Sequence, residues 1–367
     1  MGEVNEGRIV SCSRPGHRMN PVRVLIVDDS ATMRGLIRFR LRSDPRIEVV
    51  GEAANAEEAR NLITRYSPDV LTLDVEMPGK SGLDFLREIM RVQPMPVIMV
   101  SAETQRGSAA AVEALSRGAI DCIGKPRSGE VNNAFGNLTS LVLTAATANV
   151  RSRAEGRAAP VHFTAEDFEW NKKIVLIGSS TGGVDAIEQI IAGLPINCPP
   201  ILITQHMPAG FLPSFAQRLN SRYGPRITLA EDGLQIQQGT IYLAPGGEYH
   251  LQISGGLRPS CKLLAAEKVS GHRPSVDMLF ESAVPIAERI VSVILTGMGH
   301  DGARGMLALR RGGAVCMAQD EASSVVWGMP RIAWQNGGAQ NLVALSDIPA
   351  EILGATERKP RPARNAT

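Results

Sequence analysis

Over residues 22–142, short runs of aliphatic and β-branched residues alternate with helix-period patterns, and this alternation narrows the possible folds more than any other feature. Val24 to Val27, Ile47 to Val50, Val70 to Leu73, Val97 to Val100 and Ile120 to Ile123 read as strands. Helical patterns lie between them, running to Leu41, to Tyr66, from Leu83 to Val92 and from Ser108 to Arg117, with a last helix expected over Asn132 to Leu143. Five such strand–helix units predict a parallel sheet with helices on both faces. In such α/β folds the ligand lies beyond the carboxyl ends of the strands.

What stands at those ends is chemically uneven. Asp28 and Asp29 end the first strand, Asp74 the third, Ser101 the fourth and Lys125 the fifth. Adjacent carboxylates repel, so holding them together suggests a hard divalent cation, and magnesium suits a few oxygen ligands with retained waters. A carboxylate beside such an ion can attack phosphorus while the metal and a lysine ammonium balance the transferring charge. Acidic strand ends also serve as plain helix caps, but that reading does not account for all five residues together.

Over residues 21–145 the sequence resembles the receiver domain of two-component response regulators, on Val24-Leu25-Ile26-Val27-Asp28-Asp29-Ser30, Leu73-Asp74-Val75-Glu76-Met77-Pro78-Gly79, Val100-Ser101-Ala102 and Lys125-Pro126. The resemblance implies that Asp74 is the phosphoacceptor and that Asp28, Asp29 and Asp74 hold Mg2+ with the Glu76 backbone carbonyl. It further implies that Ser101 bonds the phosphoryl oxygen and Lys125 pairs with it. Cys122 stands where members often carry an aromatic residue.

A second α/β pattern runs from Lys172 to about Leu353. Its apolar run Ile174 to Ile177 enters Gly178-Ser179-Ser180-Thr181-Gly182-Gly183, and a helical pattern of Val184, Ile187, Ile191 and Leu194 follows. A nucleophilic serine is mounted on such a strand-to-helix turn. Only Ser180 has glycines two residues before and after it, so it is the expected nucleophile. Two further segments share the design: Ile201 to Thr204 runs into Gln205-His206, and Val291 to Leu295 runs into Thr296-Gly297-Met298-Gly299-His300-Asp301-Gly302. His206 is then the base and Asp301 the group that fixes its tautomer. The Thr181 N–H and the glycine-flanked Met298 region are the expected oxyanion donors.

Each residue alone has a bland reading: a capping serine, a satisfied strand-end histidine, and an aspartate capping the helix from Ala303. A dinucleotide site is disfavoured because Ser180 replaces the second glycine of that fingerprint and the next strand ends in Gln205-His206 instead of an acid. The chain order Ser, His, Asp also differs from that of α/β-hydrolases. The competing class is a signalling module that binds a partner without turnover. A DNA-binding output is weaker, because the second half has no basic recognition helix.

The whole chain, over residues 21–353, resembles the chemotaxis response-regulator protein-glutamate methylesterases, the CheB family. The carrying segments are Ile177 to Gly183, Thr204-Gln205-His206-Met207-Pro208, Ala230 to Gly233, Tyr242 to Gly247, Gly271-His272-Arg273-Pro274-Ser275-Val276-Asp277, Leu295 to Gly302 and Ser323 to Pro330. The resemblance implies a triad of Ser180, His206 and Asp301, with Thr181 and Met298 at the oxyanion site. It implies hydrolysis of glutamate γ-methyl esters on methyl-accepting chemoreceptors, deamidation of receptor glutamines, and a receiver that covers the cleft until a chemotaxis histidine kinase phosphorylates Asp74. His300 stands where asparagine is frequent in the family.

The expected architecture is thus two doubly wound parallel-sheet domains: a flavodoxin-like receiver over 21–145 and a Rossmann-like catalytic domain over 169–355. Residues 146–168, where apolar periodicity fades, are the expected linker. Residues 1–20 and the basic stretch 356–367 are expected to be disordered extensions. A net charge of +2 over 367 residues gives no argument for a nucleic-acid partner, and no run is long enough for membrane insertion. Five scattered cysteines fit neither a disulfide framework nor a zinc site, and a reduced cytoplasm is the expected setting.

Overall fold

Residues 20–102, 105–126, 135–150, 168–256 and 258–358 are described by a computed structural model of the chain. Its first half is β1 (Val22–Val27), α1 (Ala31–Arg42), β2 (Ile47–Ala53), α2 (Ala56–Tyr66), β3 (Val70–Asp74), α3 (Gly82–Val92), β4 (Val97–Ser101), α4 (Gln105–Leu115), β5 (Asp121–Gly124) and α5 (Leu138–Ala145). The strands pair in parallel in the order β2-β1-β3-β4-β5. β3 and β4 are buried along their whole lengths, as a sheet covered on both faces requires. Polar residues set the helix starts: Ser30, Asn55 and Ser81 each accept a backbone N–H three residues on.

The last helix of this half begins later than the sequence pattern suggests. Asn132 lies outside the described residues, and residues 135–137 form a turn in which Phe135 takes a left-handed φ of 58° and buries its ring. Burial of the Phe135 ring overrides its helical periodicity, and α5 starts only at Leu138.

The second half follows as β6 (Ile174–Ser179), α6 (Gly183–Ala192), β7 (Ile201–Gln205), α7 (Leu212–Arg222), β8 (Arg226–Leu229), β9 (Thr240–Leu243), β10 (Tyr249–Ser254), β11 (Ser260–Ala265), α8 (Val276–Ser282), β12 (Ile290–Ile294), α9 (Ala303–Arg311), β13 (Val315–Gln319), α10 (Met329–Gln335), β14 (Asn341–Val343) and α11 (Ile348–Thr356). Seven strands form a parallel sheet in the order β14-β13-β12-β6-β7-β9-β8, and β10 and β11 make a separate antiparallel hairpin. β12, β6 and β7 lie side by side at the centre, so residues that follow them share one edge.

The two sheets are not independent bodies. α4 packs against α7, and one continuous apolar cluster joins Leu115, Ala119 and Cys122 of the first half to Val184, Ile187 and Phe211 of the second. Each fully buried aliphatic or aromatic side chain of this kind is worth about 1.5–3 kcal/mol. Half-buried Arg218 adds a polar tie: its Nε donates to Glu188 Oε1 at 2.6 Å, and its Nη2 donates to Ser116 Oγ across the seam at 2.5 Å. Among the described residues no helix is long and apolar enough to cross a membrane.

Candidate active site and phosphoacceptor site

At the carboxyl edge of the first sheet, ligand oxygens of Asp28, Asp29 and Asp74 lie within 4.8 Å of one another. Lys125 Nζ sits 2.9 Å from Asp28 Oδ2 and 2.8 Å from Asp74 Oδ2. Burial pushes the Asp74 carboxyl up to about 6, against the opposing pull of the Lys125 ammonium. Burial alone would lower Lys125, but the two carboxylates outweigh it and raise it. The Glu76 N–H donates to Asp74 Oδ1 at 3.2 Å, which brings the Glu76 backbone beside the acceptor. Ser101 lies buried at the end of β4, where its Oγ donates to the Ala102 carbonyl at 3.3 Å.

This oxygen-only donor set fits magnesium. Asp28 and Asp74 share one ammonium with Asp29 close beside them, and a further cation would relieve the crowding that burial imposes on Asp74.

In the second sheet, Ser180 leaves β6, His206 leaves β7 and Asp301 follows β12 by a loop. All three are buried. His206 Nε2 lies 2.8 Å from Asp301 Oδ2. A carboxylate accepts, so Nε2 carries the proton and Nδ1 the lone pair. Nδ1 meets no hydrogen-bond partner among the described residues, Ser180 included. The structure therefore brings His206 onto Asp301 and leaves the Ser180–His206 contact unmade, although both residues line one cleft of about 380 Å³. Catalytic hydrogen bonds of this kind often tighten only once substrate is bound.

Asp301 is unusually well satisfied. Oδ2 also accepts from Val276 N at 2.7 Å, and Oδ1 accepts from Ser275 Oγ at 2.8 Å and Asp277 N at 3.1 Å. Burial alone would raise its carboxyl, but donation from His206 and the backbone outweighs this and holds it at about 2. Asp301 thus caps the start of α8, and the bland alternative, Asp301 as a cap on the helix from Ala303, gives way to Gly302 at that position.

The turn that carries Ser180 is built by close approach. Gly182 has φ +79°, a conformation that favours glycine, and starts α6. A Cβ on Gly297 would stand 2.7 Å from Ser180 Cβ, so only glycine lets the 297–302 loop lie against the serine. Three residues that sequence reasoning missed complete the site. Gln205 Nε2 donates to the carbonyls of both Ser180 and His206 at 2.9 Å, bracing one to the other. His272 stacks on His206 with ring centroids 3.8 Å apart and planes 5° from parallel. Burial, then the neighbouring His206, push the His272 imidazole down to about 4. Ser275 is the third. Its motif segment was visible in the sequence, but no spacing tied it to Asp301.

The first half reaches into this site. Thr181 Oγ1 donates to Asp121 Oδ2 at 2.6 Å, Gly182 N donates to the Ile120 carbonyl at 3.2 Å, and Thr144 Oγ1 reaches Met298 Sδ. Both residues expected at the oxyanion site, Thr181 and Met298, are held from across the seam. Burial raises the Asp121 carboxyl, with Thr181 and Cys122 N–H pulling the other way.

Comparison with known proteins sets these sites in a lineage. The CheB methylesterase family model matches residues 175–352, and the response regulator receiver domain model matches residues 24–134. A Rhizobium johnstonii protein named protein-glutamate methylesterase/protein-glutamine glutaminase 1 is 53% identical over 338 residues, covering 92% of this chain and 97% of that one. A Caulobacter vibrioides protein of the same name is 49% identical, covering 91% and 98%. Among solved structures, the Thermotoga maritima CheB methylesterase catalytic domain is 37% identical with a TM-score of 0.49, covering 50% of this chain and 98% of that one. With identity near one half along nearly the full length of such relatives, the chain belongs to the CheB methylesterase family and carries a response-regulator receiver domain.

Proposed function

We propose that this chain is a phosphorylation-activated serine hydrolase of the cytoplasm. It demethylates glutamate γ-methyl esters on the cytoplasmic helices of methyl-accepting chemoreceptors, releasing methanol, and deamidates specific receptor glutamines. The observation that carries this reading is the convergence of Ser180, His206 and Asp301 at the carboxyl ends of the three central strands, with Ser180 and His206 lining one cleft and His206 bonded to Asp301.

Ser180 Oγ attacks the ester carbonyl carbon as its proton passes to His206 Nδ1, the nitrogen left without a partner. Asp301 holds Nε2–H and stabilises the imidazolium, a general-base contribution of about 10²–10⁴-fold. The oxyanion faces the Thr181 N–H and the Met298 loop, each donor worth about 10²–10³ in rate. Collapse expels methoxide, which takes the Nδ1 proton and leaves as methanol. Water then attacks acyl-Ser180 with His206 again as base, releasing the glutamate carboxylate and restoring Ser180 Oγ–H. With glutamine the first leaving group is ammonia.

Residues 21–145 supply control. Asp28, Asp29, Asp74 and the Glu76 carbonyl are the groups that would hold magnesium, which when bound offsets charge as a phosphoryl group reaches Asp74. Lys125, already between Asp28 and Asp74, pairs with the phosphoryl oxygens, and Ser101 bonds one of them. Lys125 follows β5, whose first residue is Asp121 on Thr181. A shift of Lys125 towards phosphate is therefore conveyed along one short strand to the nucleophile turn. Phosphorylation by a chemotaxis histidine kinase moves a pre-existing closed-to-open population towards the open form.

A serine-reactive phosphonate probe tests the catalytic half. Ser180 is expected to be the labelled residue, with faster labelling after acetyl phosphate and magnesium are added; no labelling at Ser180 would favour the partner-binding reading.

A further inference from the structure

His250 is wholly buried on β10, far along the chain from the triad, and the mechanism above does not use it. Its Nε2 lies 2.9 Å from the Glu267 carbonyl, and its Nδ1 accepts the Ser275 N–H at 3.1 Å. A carbonyl only accepts and an amide N–H only donates, so Nε2 carries the proton and Nδ1 the lone pair. His250 thereby fixes the backbone of Ser275, which is itself fully buried.

The Ser275 hydroxyl has two partners. It accepts the Met278 N–H of α8 at 3.4 Å, a long capping bond, and it donates to Asp301 Oδ1 at 2.8 Å. The shorter bond goes to the charged partner, as charge-assisted bonds do. A carboxylate is rigid, so holding Oδ1 directs Oδ2, the oxygen that meets His206 Nε2.

We infer that Ser275, docked by His250, is a positioning residue of the hydrolytic reaction: its hydroxyl orients Asp301 on His206 and shares the carboxylate's charge. This rests on the reading of Asp301 as the triad acid. Without the hydroxyl, Asp301 keeps its two backbone donors but is free to turn, and its less-neutralised charge grips the His206 Nε2 proton harder. The other titratable or charged groups near this pair are His272 stacked on His206, with Lys268 and His300 near it, Asp277 on α8, Arg304 of α9 beyond Asp277, and Asp121 on β5.

The test uses full-length protein with acetyl phosphate and magnesium at saturation, and follows methanol release from methylated receptor membranes across pH. Ser275→Ala is expected to lower kcat about 10- to 100-fold with KM unchanged, the scale of a small misplacement of a catalytic group. The acid limb of its pH–rate profile is expected to move to higher pH, and Ser275→Thr, which keeps the hydroxyl, to recover both kcat and limb. Wild-type kcat and profile in Ser275→Ala would overturn the inference. So would a kcat loss with an unmoved limb that follows a loss of folded protein on thermal unfolding. Asp301→Asn separates the two levels: turnover retained there removes the triad reading itself, whereas an inactive Asp301→Asn beside an unaffected Ser275→Ala removes only the role of Ser275.

Discussion

Thr181, the residue after the proposed nucleophile Ser180, donates its hydroxyl to Asp121 of the receiver at 2.6 Å. Asp121 opens β5, and Lys125, the partner of the proposed phosphoacceptor Asp74, follows that strand directly. Three residues therefore lie between the group that would sense phosphate and the group that grips the Ser180 turn. With Thr144 on Met298, the receiver engages both loops of the proposed oxyanion site. Repression on these terms acts on turnover of any ester, small ones included.

Asp121→Ala removes the grip on Thr181. A hydrogen bond of this kind is worth about 0.5–1.5 kcal/mol net, so turnover without phosphodonor is expected to rise about 2- to 10-fold. Methanol release and hydrolysis of a small chromogenic ester should rise together, and acetyl phosphate should add less than it does to wild type. Unchanged basal turnover would remove Asp121 from the control path.

Arg218→Ala leaves Glu188, which is 2% exposed, with the more distant Arg222 at 3.7 Å and a long bond from Tyr223 Oη at 3.4 Å. Breaking one side of a fully buried pair costs about 3–5 kcal/mol, and the partial exposure of Arg218 and the remaining partners of Glu188 place this loss below that range. Thermal unfolding should show a midpoint lower by several degrees, with basal turnover raised because the tie to Ser116 is lost as well.

Asp74→Asn should keep basal turnover and lose all response to acetyl phosphate. Chelating magnesium in the wild type should do the same, since the proposed metal site is the Asp28, Asp29 and Asp74 cluster. A drop in basal turnover on chelation would place a metal in the catalytic half.

His272 has its imidazole pushed down to about 4 by burial and by His206, so the folded protein prefers the neutral ring. For a base lowered in this way, its contribution to stability is full above the ordinary value near 6.5 and is lost as pH falls through about 4. Unfolding midpoints between those pH values should therefore fall more steeply in the wild type than in His272→Phe. The phenylalanine keeps a flat ring against His206, so it should retain more turnover than His272→Ala.

The sequence announces what is local and hides what folding brings from afar. Ser180, His206 and Asp301 were legible because each follows a strand, and the carboxyl ends of parallel strands share an edge whatever the loops do. The acidic cluster and Lys125 were legible for the same reason. His250, Ser275 and Gln205 were not, since their roles depend on the placement of the β10–β11 hairpin and on the start of α8, which no periodicity encodes. The start of α5 was misplaced because residues 135–137 fit a helical pattern, yet Phe135 turns left-handed as its ring is buried.

Methanol release from methylated receptor membranes, compared between wild type and Ser180→Ala with and without acetyl phosphate and magnesium, tests the central claim most directly. The account predicts release that requires Ser180 and rises with the phosphodonor. Release from Ser180→Ala at the wild-type rate would contradict the hydrolytic assignment, and wild-type release indifferent to phosphodonor would contradict the coupling of Asp74 to the catalytic turn.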